Sequence, residues 1–106
     1  MYLSIRTYRL RSGSIADAMH RVDEELADRF AQEPGFVAYE VTQTGERTVA
    51  SVTMFKEREQ ADASNELAAR WVSERLADFD VERMGVIGGE VLVSRASAEL
   101  LEAMHA

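Results

Sequence analysis

The fold is decided by residues 59–79, EQADASNELAARWVSERLADF, which follow a pair of predicted strands. Residues recur there at steps of three and four, the spacing that places side chains on one stripe of an α-helix. That stripe comprises Ala61, Asn65, Ala68, Val72, Leu76 and Phe79. Asn65 is its only polar member, and the single tryptophan, Trp71, lies at its edge. The stretch therefore predicts a helix that carries one amide into a core.

Asn65 has two interpretations. A buried amide costs about 1–3 kcal/mol unless it finds hydrogen-bond partners, so a chain keeps one either for a structural network or for a ligand. Trp71 is open in the same way, because an indole can fill a core or stack on a substrate ring. Since one helix carries both side chains towards the sheet, a shared pocket is the hypothesis to test.

The elements around this helix follow from alternation and from turn residues. Residues 1–10 alternate as a strand, and Ser14 then predicts the N-cap of a helix that ends at Pro34-Gly35. The chain continues as a hairpin, the helix already described, a polar connection, a last strand and a short C-terminal helix. The hairpin is predicted at residues 36–43 and 47–56, and the helix at residues 59–79. The polar connection is predicted at residues 78–85, the last strand at residues 86–95 and the C-terminal helix at residues 96–106.

The order β-α-β-β-α-β predicts an α+β, ferredoxin-like fold, in which two helices cover one face of a four-stranded antiparallel sheet. We expect residues 1–95 to form this single domain and residues 96–106 to form a helical tail. Gly88 and Gly89 predict a bulge or a close backbone approach in the last strand.

Both faces of the predicted sheet carry apolar side chains. In the first strand Leu3 and Ile5 oppose Tyr2 and Tyr8, and the hairpin strands show the same pattern. A sheet with one solvated face normally alternates cleanly between apolar and polar residues. We therefore expect a homodimer in which the open sheet faces of two copies pack together. Arg6 and Tyr8, which share a face of this strand, are predicted at that interface, with a pocket mouth as the alternative.

Composition excludes several classes of partner. The chain of 106 residues has a net charge of −7, with 12 Lys and Arg dispersed among 19 Asp and Glu. Nucleic acids and anionic membranes bind clustered cations, so neither is expected as a partner. No apolar run reaches the roughly 18 residues that span a bilayer. Cysteine is absent, which excludes disulfides and thiolate chemistry and leads us to expect a cytoplasmic protein.

Neither histidine is placed for metal binding. His20 is predicted on a solvated helix face beside Asp23 and Glu24, and His105 lies in the tail. A metal site needs several imidazole or carboxylate ligands that converge on one point. Haem ligation would need an imidazole inside the pocket. We therefore expect no metal and no cofactor.

The entry into the second strand, Pro34-Gly35-Phe36-Val37-Ala38-Tyr39-Glu40-Val41, resembles that of the antibiotic biosynthesis monooxygenase (ABM) domains. The turn, the third strand and the following helix are also similar, so that the resemblance extends over about residues 1–95. It implies a dimeric α/β barrel with a pocket in each protomer between sheet and helices. Haem-degrading relatives use a helix histidine, and this chain has none near Ser64.

The resemblance also implies a kind of chemistry. Some ABM-like proteins are oxygenases that oxidise aromatic polyketides or quinols without metal or flavin, and the substrate anion activates oxygen. Asn65 and Trp71 resemble their polar anchors and are the candidate catalytic residues, Asn65 as a donor to a substrate oxygen and Trp71 as a stacking surface. The candidate substrate-binding residues are Ser64, Ala68, Val72, Tyr39 and Phe55.

Two functions follow from these observations. The first is a cofactor-independent monooxygenase that acts on a small aromatic or quinol-type molecule and has a void beside Asn65. The second is a non-catalytic dimeric module that binds a small ligand or a protein partner, with a small or closed cavity and Asn65 satisfied by protein groups. Haem degradation is disfavoured by the missing helix histidine.

Overall fold

The computed structural model describes residues 1–97, and its elements follow the predicted order. The first helical region has three parts, α1, a π-helical turn and α2, and a short 3-10 turn follows α3. The bounds are β1 Tyr2–Leu10, α1 Ile15–Arg21, π turn Val22–Leu26, α2 Ala27–Gln32, β2 Phe36–Gln43, β3 Thr48–Phe55, α3 Arg58–Arg75, 3-10 turn Ala77–Phe79 and β4 Val81–Glu90. Of the predicted tail 96–106, only residues 96 and 97 are described, without regular structure.

The four strands form one antiparallel sheet in the order β2-β3-β1-β4. β1 lies between β3 and β4, and its Ile5 pairs with Val52 on one side and with Ile87 on the other. The helical region and α3 pack on the same face of this sheet. The predicted ferredoxin-like α+β fold is therefore confirmed.

The last strand begins earlier than predicted. Asp80 has a left-handed backbone, with φ 46°, which turns the chain after the 3-10 turn so that β4 starts at Val81. Residues 91–95, predicted to continue this strand, have no regular structure. The expected polar connection is thus mostly strand, because an edge strand tolerates charged residues that sequence patterns assign to loops.

The glycine pair in β4 does not form the bulge. The register of β1 and β4 shifts between Thr7 and Tyr8, and the two glycines lie outside this shift, towards the other end of β4. Gly88 instead permits a close backbone approach, because a Cβ at this position would lie 3.1 Å from the carbonyl oxygen of Leu3.

Side-chain caps define where the helices begin. The Ser14 Oγ accepts the Asp17 N–H at 3.1 Å, which confirms the predicted N-cap. α3 begins after Glu57, and Gln60 Oε1 accepts the Glu57 N–H at 3.0 Å in a capping box. The Gln60 side chain occupies the space that a Cβ at Gly35, with φ 77°, would need.

The π turn explains how the first helical region keeps one face on the sheet. Val22, Leu26 and Phe30 are all buried and follow each other at steps of four. At 3.6 residues per turn, each step of four drifts about 40° around a regular α-helix. The π turn is wider than an α turn and offsets this drift, so the three side chains stay in the core.

The two faces of the sheet have different environments. Arg6 and Tyr8 face the helices and are buried, whereas Leu3, Ile5 and Ile87 lie on the open face. Ile87 is 68% exposed, which confirms that the open face presents apolar side chains. The prediction that Arg6 belongs to a dimer interface is wrong, because its side chain is 0% exposed inside one protomer. Among residues 1–97, no helix is both long and apolar enough to cross a membrane.

Candidate functional site

Arg6 is the centre of a buried polar network between the sheet and α3. Its Nε donates to Ser51 Oγ at 3.1 Å, and its Nη1 donates to Thr53 Oγ1 at 3.0 Å and to Asn65 Oδ1 at 2.8 Å. All three acceptors are neutral. None of the ion pairs within residues 1–97 includes Arg6. The guanidinium is therefore buried without an acidic partner in the described part of the chain.

Asn65 belongs to this network. Its Oδ1 accepts from Arg6, and its Nδ2 reaches Ser4 Oγ at 3.4 Å, a long and weak contact. The Asn65 backbone carbonyl accepts from Arg83 Nη1 at 3.5 Å. The amide is half-buried and has protein partners on both of its polar atoms.

Ser64 extends the network on the helix side. Its Oγ donates to the Ala61 carbonyl oxygen at 2.6 Å and lies 3.1 Å from Thr53 Oγ1. Ser64 and Thr53 are 2% and 0% exposed. The hydroxyl groups thus hold the α3 backbone against β3, next to the guanidinium.

Two buried polar atoms of this region have no hydrogen-bond partner in the described residues. They are Arg6 Nη2 and the Tyr8 hydroxyl oxygen. Tyr8 is 7% exposed, and its hydroxyl lies near Arg6 and Ser51 but is in hydrogen-bond geometry with neither. Buried polar atoms without a partner are few in native proteins, and each calls for a physical reason.

Burial sets the protonation behaviour of the three groups around this point. Desolvation lowers the pKa of Arg6, and the nearby Tyr8 and Tyr39 hydroxyls act against that shift. Desolvation also raises the pKa of Tyr8 and of Tyr39, and the positive charge of Arg6 opposes both shifts. Both phenols are therefore neutral near pH 7.

A cavity of about 30 Å³, the inner cavity, lies between the sheet and the helices. The sheet contributes its polar groups, from Arg6, Tyr8, Tyr39 and Ser51. The helices contribute only apolar side chains, which are Met19, Val22, Leu26, Ala68, Val72 and Leu76. Val22 and Leu26 are the first and last residues of the π turn, and such turns occur frequently at functional sites.

A wider cleft of about 420 Å³, the outer groove, opens beside the inner cavity. Tyr8, Val72 and Leu76 line both spaces and form the wall between them. The rest of the outer groove is lined by the end of α3, the 3-10 turn and the start of β4, including Asp80 and Arg83. The outer groove therefore leads from solvent to the Tyr8 side of the inner cavity.

The structure distributes the predicted site residues over three places. Tyr39, Ala68 and Val72 line the inner cavity, whereas Asn65 and Ser64 belong to the Arg6 network.

Trp71 and Phe55 line neither space and are 4% and 1% exposed in the core. The Phe55 ring packs edge-on against Phe36 at a centroid distance of 5.8 Å. Trp71 faces the first helical region, where its indole N–H contributes to the lowered pKa of Glu25 after the larger effect of Arg75.

Arg6 and Tyr8, for which the dimer interface was favoured over a pocket mouth, both line the inner cavity. The signal for them was the alternation of Ser4, Arg6 and Tyr8 on one face of β1. Within the described residues, no group of three or more His, Asp or Glu could hold a metal ion.

Solved structures with similar coordinates define the class of the fold. A dimeric ferredoxin-like protein from an uncultured marine organism aligns with a TM-score of 0.67 and 15% identity, over 91% of this chain and 98% of that one. No model of a protein family matches the sequence. No curated protein matches it either.

Two further solved structures have similar folds. A Deinococcus radiodurans protein, provisionally named an antibiotic biosynthesis monooxygenase, has a TM-score of 0.69 and 15% identity, over 92% of this chain and 98% of that one. HapK from Hahella chejuensis has a TM-score of 0.66 and 22% identity, over 92% of this chain and 99% of that one. At these identities the likeness concerns the fold, and the chain has an ABM-like fold.

Proposed function

We propose that the protein is an ABM-like monooxygenase that acts on a small aromatic or quinol-type molecule without metal or flavin. The observation that carries the proposal is the inner cavity, in which apolar helix side chains face a few polar groups of the sheet. Ligand sites are typically lined in this way, because apolar walls supply affinity and a few polar groups fix orientation.

The volumes indicate how such a molecule would bind. About 30 Å³ accommodates one or two waters, which is too little for an aromatic ring. The outer groove, at about 420 Å³, is large enough for a ring system. The ring is proposed to lie in the outer groove, and its oxygen substituent is proposed to pass Tyr8 and Val72 into the inner cavity.

The predicted residues take different roles in this proposal. Tyr39, Ala68 and Val72 contact the substrate as wall residues. Asn65 acts as a positioning residue, because its Oδ1 holds the Arg6 guanidinium at 2.8 Å. Trp71, Ser64 and Phe55 do not contact the substrate in this proposal, because they line neither space.

We also propose that the protein is a homodimer formed through the open sheet face. Leu3, Ile5 and Ile87 lie there without a covering layer in the described chain. A contiguous apolar sheet face usually marks an interaction site. A similar solved structure is named a dimeric ferredoxin-like protein, which supports the same arrangement.

A second candidate is a non-catalytic dimeric module that binds a small ligand or a protein partner. Two specific observations favour it, namely the small volume of the inner cavity and the protein partners of Asn65. Both candidates use the same fold, so the distinction between them is whether the bound molecule reacts with oxygen.

Oxygen uptake separates the two candidates. We expect the wild-type protein to consume oxygen with dihydroxynaphthalene or anthrone-type substrates and to form a quinone product. In the anthrone case a ring CH₂ and O₂ give a ring C=O and H₂O. Val72→Phe should close the passage from the outer groove to the inner cavity. The rate should then fall at least about tenfold, since a misplaced substrate loses its near-attack geometry.

The matched control is Ala63→Phe, which adds the same ring at an exposed position of α3 that lines neither space. It should leave the rate unchanged. Saturable binding of the same compounds without oxygen uptake would favour the binding module. Equal rates in both variants would mean that the reaction does not occur in this space.

A further inference from the structure

We propose that Arg6 and Tyr8 form a binding site for an organic oxyanion at the sheet side of the inner cavity. The ligand class is a small aromatic compound that carries a carboxylate, phenolate or enolate oxygen. This inference deepens the proposed function in that it uses the same cavity, but it requires only binding and no reaction. The sequence offered a pocket mouth only as the alternative to an interface for these two residues.

The charge of Arg6 is uncompensated in the described part of the chain. The guanidinium is 0% exposed, and its three hydrogen-bond acceptors, on Ser51, Thr53 and Asn65, are neutral. Charges in protein interiors are normally paired, because an unpaired buried charge loses its hydration without replacement. The charged side chain that acts on Arg6 is Arg83, which has the same sign. An anion in the inner cavity would supply the missing counter-charge.

Two buried hydrogen-bonding atoms beside this charge are unused. Arg6 Nη2 and the Tyr8 hydroxyl are buried, lack partners in the described chain and belong to residues that line the inner cavity. Nη2 carries N–H donors and the phenol carries an O–H donor. A carboxylate or phenolate oxygen accepts from both kinds of donor, and such charge-assisted bonds are among the strongest in proteins.

The shape of the two spaces also fits an aromatic anion. The inner cavity, at about 30 Å³, has room for an oxyanion but not for a ring. The outer groove shares Tyr8 as a wall and has room for the ring. The helix side chains that face Arg6 across the cavity are apolar, so no helix carboxylate competes for the guanidinium. The two spaces together therefore fit an aromatic acid, with its anionic end at Arg6.

The test compares two probes of the same shape, 2-naphthoate and 2-naphthamide, by fluorescence titration at neutral pH and fixed salt. The wild-type protein should bind the carboxylate at least about tenfold more tightly, the ratio expected from one charge-assisted hydrogen bond. Tyr8→Phe removes only the hydroxyl and should reduce this ratio several-fold. Arg6→Met removes the charge with little change in volume and should abolish the preference.

Arg9→Gln is the matched control, because Arg9 is an exposed arginine of the same strand. It should leave the ratio unchanged. Equal affinity of the two probes for the wild-type protein would overturn the inference, as would a preference that survives in Arg6→Met or the absence of saturable binding. If Arg6→Met does not fold, an unchanged ratio in Tyr8→Phe overturns the site as described.

Oxygen uptake distinguishes the failure of this inference from the failure of the proposed function. A preference for the carboxylate without turnover of any phenolic substrate would retain the oxyanion site and reject the monooxygenase. Turnover together with equal binding of the two naphthyl probes would retain the monooxygenase and reject the oxyanion site.

Discussion

At the scale of residues, one guanidinium joins three elements of the fold. Arg6 on β1 donates to Ser51 and Thr53 on β3 and to Asn65 on α3. Its side chain also lies over the Phe30 ring, with its central carbon 5.7 Å from the ring centroid. A long cationic side chain thus fills a part of the core that an apolar residue would usually occupy, and the side chains that accept its hydrogen bonds are polar.

Removal of the Asn65 side chain tests the network. We expect Asn65→Ala to lower the free energy of unfolding by about 1–3 kcal/mol, because one N–H of buried Arg6 loses its acceptor. Denaturant titration measures this change. Glu66→Ala, at the exposed neighbouring position, should change stability by less than about 0.5 kcal/mol.

The same variant separates a positioning role from a purely structural one. If Asn65 positions Arg6, Asn65→Ala should also reduce the ratio of naphthoate to naphthamide affinity, whereas loss of packing alone would weaken both probes equally. Stability equal to that of wild type would contradict the Arg6–Asn65 contact.

Arg6 illustrates what a strand pattern leaves undetermined. Alternation correctly grouped Arg6 with Tyr8 and separated them from Leu3 and Ile5. It could not tell which group faces the helices, because both faces of this sheet are apolar and a sheet has a period of two. Charge then suggested an interface for Arg6, since an arginine is seldom fully buried. The partners that make its burial tolerable come from residues far away in sequence.

At the scale of elements, two ion pairs connect the first helical region to the end of α3 and to the 3-10 turn that follows it. Arg75 Nε donates to Glu25 Oε1 at 2.8 Å, and Arg21 forms two bonds with the Asp78 carboxylate at 2.9 and 3.0 Å. Arg21 also lies over the Phe79 ring, 4.9 Å from its centroid. These contacts close the end of the helical layer beside the outer groove.

The ion pairs predict how stability depends on acidity. Arg75 lowers the pKa of Glu25, and Arg21 lowers the pKa of Asp78, mainly through hydrogen bonds. A carboxyl group with a lowered pKa in the folded state contributes stability above its unfolded pKa and loses it as pH falls through the folded value. The melting temperature should therefore fall between about pH 5 and pH 3.

Thermal unfolding of a double variant checks this assignment. Glu25→Gln with Asp78→Asn should show a smaller decrease of melting temperature on acidification than the wild-type protein. Asp28→Asn with Glu66→Gln is the control, since these exposed carboxylates form no ion pair within residues 1–97. An equal decrease in wild type and in the first double variant would show that the pairs add nothing.

At the scale of the whole molecule, the sheet separates an enclosed face from an open one. The helices cover the face that carries Arg6 and Tyr8, and the opposite face presents Leu3, Ile5 and Ile87. The element order and this two-sided character followed from the sequence, because turn residues and strand alternation are local signals. The start of β4 did not, since it depends on the left-handed turn at Asp80.

The proposed dimer predicts a clear effect of a charge on the open face. Ile5→Lys should raise the dimer dissociation constant at least about a hundredfold, because an unpaired charge in an interface costs several kcal/mol. Sedimentation equilibrium measures the constant. Ala63→Lys places the same charge on an exposed part of α3 and should leave it unchanged. Wild-type protein that sediments as a monomer at high concentration would reject the dimer.

The π turn has a consequence for the length of this chain. If one residue were removed from the segment Val22–Leu26, the spacing from Val22 to the next two core positions would become three and seven. Those are the intervals at which a regular α-helix repeats a face, so a shorter chain could bury the same side chains. The additional residue is therefore surplus to packing, and what it changes is the width of the helix where Val22 and Leu26 line the inner cavity.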